Sequence, residues 1–112
     1  MEEIRFDDIE KIKGKIGDTF GEWSEAVDVT QDMINRFAEL TGDHQWIHVD
    51  VERAKTDSPF GVTIAHGNLT LSMVDGFRDQ LFRSEGFKMG VNYGWNKIRF
   101  PAPVPSGSVI SR

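Results

Sequence analysis

Apolar and polar positions alternate in distinct periodic stretches, divided by glycine- and proline-marked breaks. In residues 7 to 13, Asp7 or Asp8 can cap a short helix, and Ile9, Ile12 and Ile16 nearly share a face. Gly14 and Gly17 break that pattern, which predicts an N-terminal element packed over the core. From Trp23 to Val29, the positions Trp23, Val27 and Val29 alternate with Ser24, Ala26 and Asp28, a strand pattern with one fault at Glu25. Thr30 then offers an N-cap, and Asp32 places negative charge in the first turn, where the helix dipole favours it. Met33, Phe37 and Leu40, joined by Ile34 and Ala38, make the buried stripe of a helix ending near Leu40. Gly42 is the expected stop.

The second half repeats the alternation less regularly. Val51–Lys55 fits one helical turn, and Ser58-Pro59-Phe60-Gly61 reads as a turn. Ile64-Ala65-His66-Gly67-Asn68 opens the strongest helical pattern in the chain. Leu69, Met73 and Phe77 lie on one line of it, with Thr70, Val74 and Leu81 beside them. A glycine in mid-helix costs about 1 kcal/mol relative to alanine, so Gly76 predicts close packing against another element. Over residues 89 to 100, Val91, Tyr93 and Trp95 occupy one face of a strand, whereas Ile98 and Phe100 fall in the other phase. The flip near Asn96-Lys97 predicts a β-bulge. Pro101, Pro103 and Pro105 end the strand, and Ser106-Gly107-Ser108 turns into Val109-Ile110.

Composition narrows the function classes. With 112 residues the chain reads as a single domain over 1–112. It has no cysteine, which removes disulfides, thiolate metal sites and a cysteine nucleophile together. A net charge of −5 argues against nucleic acid as partner, because phosphate neutralisation needs a clustered basic surface. No apolar run reaches membrane-spanning length, and the Met-Glu-Glu-Ile-Arg-Phe start lacks the basic-then-apolar pattern of a secretory signal. The expectation is a cytoplasmic protein without a membrane partner.

Candidate chemistry concentrates in Thr41-Gly42-Asp43-His44-Gln45-Trp46-Ile47-His48-Val49-Asp50. On a continuous helix Asp43 and His48 would point in different directions at about 3.6 residues per turn, so joint action requires this segment to bend. A histidine can take a proton from water near neutral pH while a neighbouring carboxylate orients that water or exchanges the proton. The competing reading is a solvated polar loop. A metal site is a further alternative, with His44 and His48 at i, i+4 and Asp43 or Asp50 as third ligand. Gly42 and the β-branched Ile47 and Val49 oppose the helix that such a site needs, so no metal is assigned and Asp50 is taken as a cap for the Val51–Lys55 turn. Downstream, the first N–H groups of the helix starting at Gly67 lack intrahelical partners and can hold a carbonyl oxygen that becomes negative during reaction. His66 and Asn68 flank that position as candidate substrate-binding residues. Acid, base and oxyanion donor together would make a water-addition site.

These residues resemble a known family. The Thr41–Asp50 run, followed by Pro59-Phe60-Gly61 and Ile64-Ala65-His66-Gly67, is similar to the MaoC-like dehydratases, which include (R)-specific enoyl-CoA hydratases and NodN-like nodulation proteins. Asn92-Tyr93-Gly94-Trp95-Asn96-Lys97-Ile98-Arg99-Phe100-Pro101-Ala102-Pro103-Val104 resembles the family's strand into its proline-rich turn. The resemblance implies an α+β hot-dog fold, with residues 67 to 83 as a long central helix wrapped by an antiparallel sheet, and subunits that pair as homodimers. It implies Asp43 and His48 as the pair holding the catalytic water, the Gly67 N–H as donor to the thioester oxygen, and Asp50 in a supporting role. The implied reaction is syn addition of water to a trans-2-enoyl thioester. No resident cofactor is involved, and coenzyme A or acyl carrier protein serves as the substrate carrier. Family members continue through further strands after the turn at Val104–Gly107, so the domain is expected to be incomplete, with C-terminal strands missing. Two other functions compete: a non-catalytic acyl-thioester binding or partner subunit, and a hot-dog thioesterase.

Overall fold

A computed structural model describes residues 1–77 and 82–112. Strand β1 (Glu2–Arg5) leads into helix α1 (Ile9–Lys13), and β2 (Val27–Val29) into α2 (Gln31–Thr41). Short helices α3 (Trp46–Val49) and α4 (Val51–Asp57) follow, then α5 (Gly67–Ser72), a 3-10 turn over Met73–Gly76, β3 (Phe82–Glu85) and β4 (Ser108–Ile110). Among the described residues the strands form two separate ladders. β2 pairs antiparallel with β4, Asp28 opposite Val109, whereas β1 pairs parallel with β3, Ile4 opposite Ser84. The second ladder departs from the wholly antiparallel sheet expected. No helix of the described residues is long and apolar enough to cross a membrane.

Local chemistry explains α2. Thr30 caps it by accepting from the Met33 N–H at 3.2 Å. Gly42 closes it in the left-handed conformation at φ 80°, which glycine adopts without a Cβ clash, and its N–H returns to the Ala38 carbonyl. Ile34 and Ala38 are fully buried. They join a core of Val29, Ala65 and Leu69, with Phe37, Met73, Val104 and Ile110 packed around it. Leu40, expected on the same stripe, is 84% exposed. The stripe turns away from the core in the last turn of α2, and only its first two turns are covered.

Three expected elements come out shorter. The 67-to-83 helix is α-helical only to Ser72, and its Leu81 lies outside the described residues. Thr70, Ser72, Val74 and Gly76 are poor helix formers at alternate positions. The Thr70 and Ser72 hydroxyls also bond back to the Gly67 and Asn68 carbonyls, a pattern that bends helices. Gly76 has no neighbour among the described residues within 4 Å of where a Cβ would stand, so close packing against them does not explain it. The strand expected over Trp23–Val29 shrinks to Val27–Val29. Trp23 stays 75% exposed, while Ser24 meets Arg112 through two hydrogen bonds of 2.7 and 2.8 Å. Residues 89 to 100 form no strand, because no partner among the described residues supplies a ladder. At the expected bulge the backbone takes a positive φ of 51° at Lys97. Helix α1 is capped by Asp8, as expected, but none of its residues is buried, so it does not pack over the core.

Candidate active site

Gly42 turns the chain out of α2, and residues 42–45 carry Asp43 around a bend into α3. This is the break that joint action of Asp43 and His48 requires. The single-turn helix α3 presents His48 to the interior. Its Nδ1 lies 2.7 Å from the Ile64 carbonyl. A carbonyl only accepts, so Nδ1 carries the proton and Nε2 keeps a free lone pair. The bond does what an orienting partner does for a catalytic histidine, namely fixing both ring direction and tautomer. The other polar groups hold α3 itself. Gln31 Nε2 donates to the His48 carbonyl at 2.8 Å, and the almost fully buried Thr63 hydroxyl donates to Gln31 Oε1. On the outer face the Arg53 guanidinium sits 4.2 Å above the Trp46 ring, a cation–π contact that covers an indole otherwise left to solvent.

Asp43 is exposed. One carboxylate oxygen of Asp43 and one nitrogen each of His48 and His66 lie within 4.8 Å of one another. That set has the donors for a metal, and it differs from the His44, His48 and Asp50 combinations weighed from the sequence. Its geometry serves a shared ligand poorly. The His48 and His66 rings stack with centroids 3.9 Å apart and planes inclined by 26°, so their in-plane lone pairs run nearly side by side instead of converging on one point.

A cavity of about 470 Å³ opens beside His48, walled by Phe60, Ile64, Gly67, Thr70, Phe100 and Pro103. It is mostly apolar and large enough for a short acyl chain. Gly67 is the first residue of α5, and its N–H has no intrahelical acceptor. The Phe100 ring covers it closely: a Cβ at residue 67 would stand 2.5 Å from the ring. Only glycine leaves room for both backbone and ring at this wall.

Of the expected site residues, His48 stands between the other two: it lies beside Asp43 on one side and lines the cavity with Gly67 on the other, while Asp43 does not line that cavity. Asp50 accepts the Arg53 N–H at 3.1 Å and caps α4, as expected, without joining the cluster. His44 points outward, 4.0 Å from Glu39. His66 and Asn68 do not line the cavity; His66 is 3% exposed and sits behind His48, while Asn68 is exposed. Gln31, Thr63 and Phe100 were missed by sequence reasoning. A buried threonine and a glutamine at a helix start carry no periodic signal, and Phe100 looked like one strand residue among several.

Comparison with known proteins adds to this picture. A family model described as the MaoC-like domain matches residues 13–111. A 3-hydroxyacyl-thioester dehydratase Z from Mycobacterium tuberculosis is 48% identical over 105 residues, covering 94% of this chain and 68% of that protein. Nodulation protein N from Rhizobium meliloti is 41% identical over 98% of this chain and 66% of its own length. Among solved structures, a monoamine oxidase regulatory protein from Archaeoglobus fulgidus superposes with a TM-score of 0.66 at 36% identity, over 83% of this chain and 63% of that one. The unliganded R-hydratase PhaJ1 from Pseudomonas aeruginosa gives 0.63 at 23% identity, over 83% and 57%, and speaks for the fold alone. The α+β hot-dog expectation is borne out by these superpositions, and the chain spans 57% to 68% of the length of these relatives.

Proposed function

The chain belongs to the MaoC-like dehydratase family, and from that premise we propose that it is a hydro-lyase adding water to trans-2-enoyl thioesters and removing it from (R)-3-hydroxyacyl thioesters. The observation that carries this reading is the fixed tautomer of His48. Its Nδ1–H is committed to the Ile64 carbonyl, so Nε2 is a ready proton acceptor at the wall of an acyl-sized cavity that Gly67 also lines. In the hydration direction His48 Nε2 takes a proton from water as the water oxygen bonds to the β-carbon. The C=C electron pair shifts onto the thioester oxygen, where the Gly67 N–H stabilises the enolate. Collapse of the enolate takes a proton at the α-carbon, relayed from His48 through the Asp43 carboxylate. Water is consumed whole, and no resident cofactor or metal enters the balance.

The substrate carrier in this reading is coenzyme A or acyl carrier protein. A homodimer is also proposed, since Met89, Val91 and Trp95 leave apolar surface that a second subunit can cover. The test is to mix the protein with crotonyl-CoA and follow loss of the conjugated enoyl absorbance. Turnover that falls on the order of 10²- to 10⁴-fold in His48→Ala supports the assignment, as loss of a general base should. Undiminished turnover in that variant, or release of free thiol with the double bond intact, would sink it, the latter in favour of a thioesterase.

A further inference from the structure

We infer that His66 is a positioning residue, whose Nε2–H and ring together set the place of Asp43 relative to His48. The inference rests on the hydration reading for its consequence, though not for its geometry. His66 stands at the N-cap of α5, where serine, threonine, aspartate or asparagine would bond a free N–H of the first turn. Its side chain makes no such bond, and only its backbone carbonyl serves the helix, accepting from Leu69 and Thr70. The imidazole is turned the other way. Nε2 lies 3.0 Å from the Asp43 backbone carbonyl, so Nε2 bears the proton. Nδ1 then holds a lone pair that is buried and has no hydrogen-bond partner among the described residues. Leaving a buried acceptor unmet is costly, and the arrangement keeps that cost in order to aim Nε2–H at the Asp43 turn.

The turn is anchored at its ends, where the Gly42 N–H meets the Ala38 carbonyl at 2.8 Å and the His48 N–H meets the Gln45 carbonyl at 3.0 Å, but Asp43 between them is otherwise weakly tied. The Asp43 N–H reaches the Thr41 hydroxyl at 3.4 Å, and the Gln45 N–H reaches Asp43 Oδ1 at 3.4 Å, both near the limit of a useful hydrogen bond. Of the hydrogen bonds that Asp43 itself makes, the one from His66 is the short one. Its ring is also gripped: it stacks on His48 at 3.9 Å and meets Phe37 of α2 at 4.9 Å, inclined by 58°. One buried side chain therefore touches α2 through Phe37, the turn after α2 through Asp43, and α3 through His48. A catalytic carboxylate on an exposed turn needs such a tether, because small misplacements of a reacting group are expensive in rate.

Two substitutions separate the two contacts. His66→Phe keeps an aromatic ring against His48 and removes the donor. His66→Gln removes the ring but can place an amide N–H where Nε2–H was. Amide hydrogen exchange over residues 42–45 is expected to quicken roughly tenfold in His66→Phe and to stay within about twofold of the parent in His66→Gln. In the crotonyl-CoA assay, kcat should fall roughly tenfold or more in His66→Phe with KM changed by less than about twofold, and His66→Gln should recover most of it. Unchanged exchange in His66→Phe, or equal losses in both variants, would overturn the inference. The parent protein offers a check that needs no variant to fold: ¹⁵N-resolved imidazole spectra should show His66 protonated at Nε2 and bare at Nδ1, and the opposite tautomer would refute the tether. If the parent does not hydrate crotonyl-CoA, the hydration reading fails, while the exchange and tautomer results still decide the role of His66.

Discussion

The site-bearing half and the segment after β3 are built from similar residues and reach opposite ends. Around the site, Val29, Ile34 and Ala38 are fully covered, and Gln31, Thr63, Nδ1 of His48 and Nε2 of His66 find partners in neighbouring elements. Between Phe87 and Phe100 the chain is as apolar and as strand-like in composition, yet Val91 is 73% exposed and Met89 equally so. The difference is whether a segment can satisfy its own backbone. Helix α2 closes its own backbone hydrogen bonds and needs only one face covered. A strand has no bonds of its own and takes shape only beside another strand. The Asp43, His48 and His66 cluster rests on short helices and turns.

That contrast can be broken by substitution, most sharply in the chemistry. His48→Ala should remove on the order of 10²- to 10⁴-fold of the hydration rate, whereas Tyr93→Ala, fully exposed, should leave the rate within about twofold. A large rate loss in Tyr93→Ala would show that the open segment takes part in the site. Next in size is the core. Ile34→Ala should destabilise the protein by about 2–5 kcal/mol, read as a lower denaturant midpoint. Leu40→Ala, on the same helix but facing solvent, should stay within about 0.5 kcal/mol of the parent. Equal losses at the two positions would mean that the last turn of α2 is covered in solution.

Smaller effects test the polar supports. Thr63→Val keeps shape but leaves Gln31 Oε1 unmet, for an expected loss of about 1–3 kcal/mol in thermal or denaturant unfolding. No loss would indicate that another donor replaces the hydroxyl. The least effect is expected at the N-terminal surface. The Arg5 guanidinium donates to both Asp7 carboxylate oxygens at 3.0 Å, and this hydrogen bond holds the Asp7 carboxyl below its ordinary value. A carboxyl lowered on folding stabilises the native state above its unfolded pKa, and that contribution is lost as pH falls through the folded value. Any stability difference between the parent and Asp7→Asn should therefore be small near pH 7 and shrink on acidification; a difference that grows would contradict the pairing.

Legibility from the sequence followed the range of the interaction. Asp8, Thr30, Gly42 and Asp50 were readable as caps and stops because each acts on a backbone group within a turn of itself. The bend between Asp43 and His48 was readable for the same reason. Their role as one site came from the resemblance to the MaoC-like family, not from spacing. The stack of His66 on His48 joins positions far apart in the chain, and no periodicity reports it. The same limit produced the errors at residues 67 to 83 and 89 to 100, where apolar spacing was right for an element but tertiary support ended early or never arrived.

By itself, then, the sequence determined the family, the caps that start α1, α2 and α4, the glycine that stops α2, and the residue types near the site, because caps and stops depend on side chains acting on their own stretch of backbone. Tertiary structure alone decided which nitrogen of His48 is free, which carbonyl His66 holds, and which apolar positions are covered. Those outcomes depend on groups brought together by packing, through carbonyls such as those of Ile64 and Asp43 that are the same in every residue and leave no mark in the amino-acid pattern.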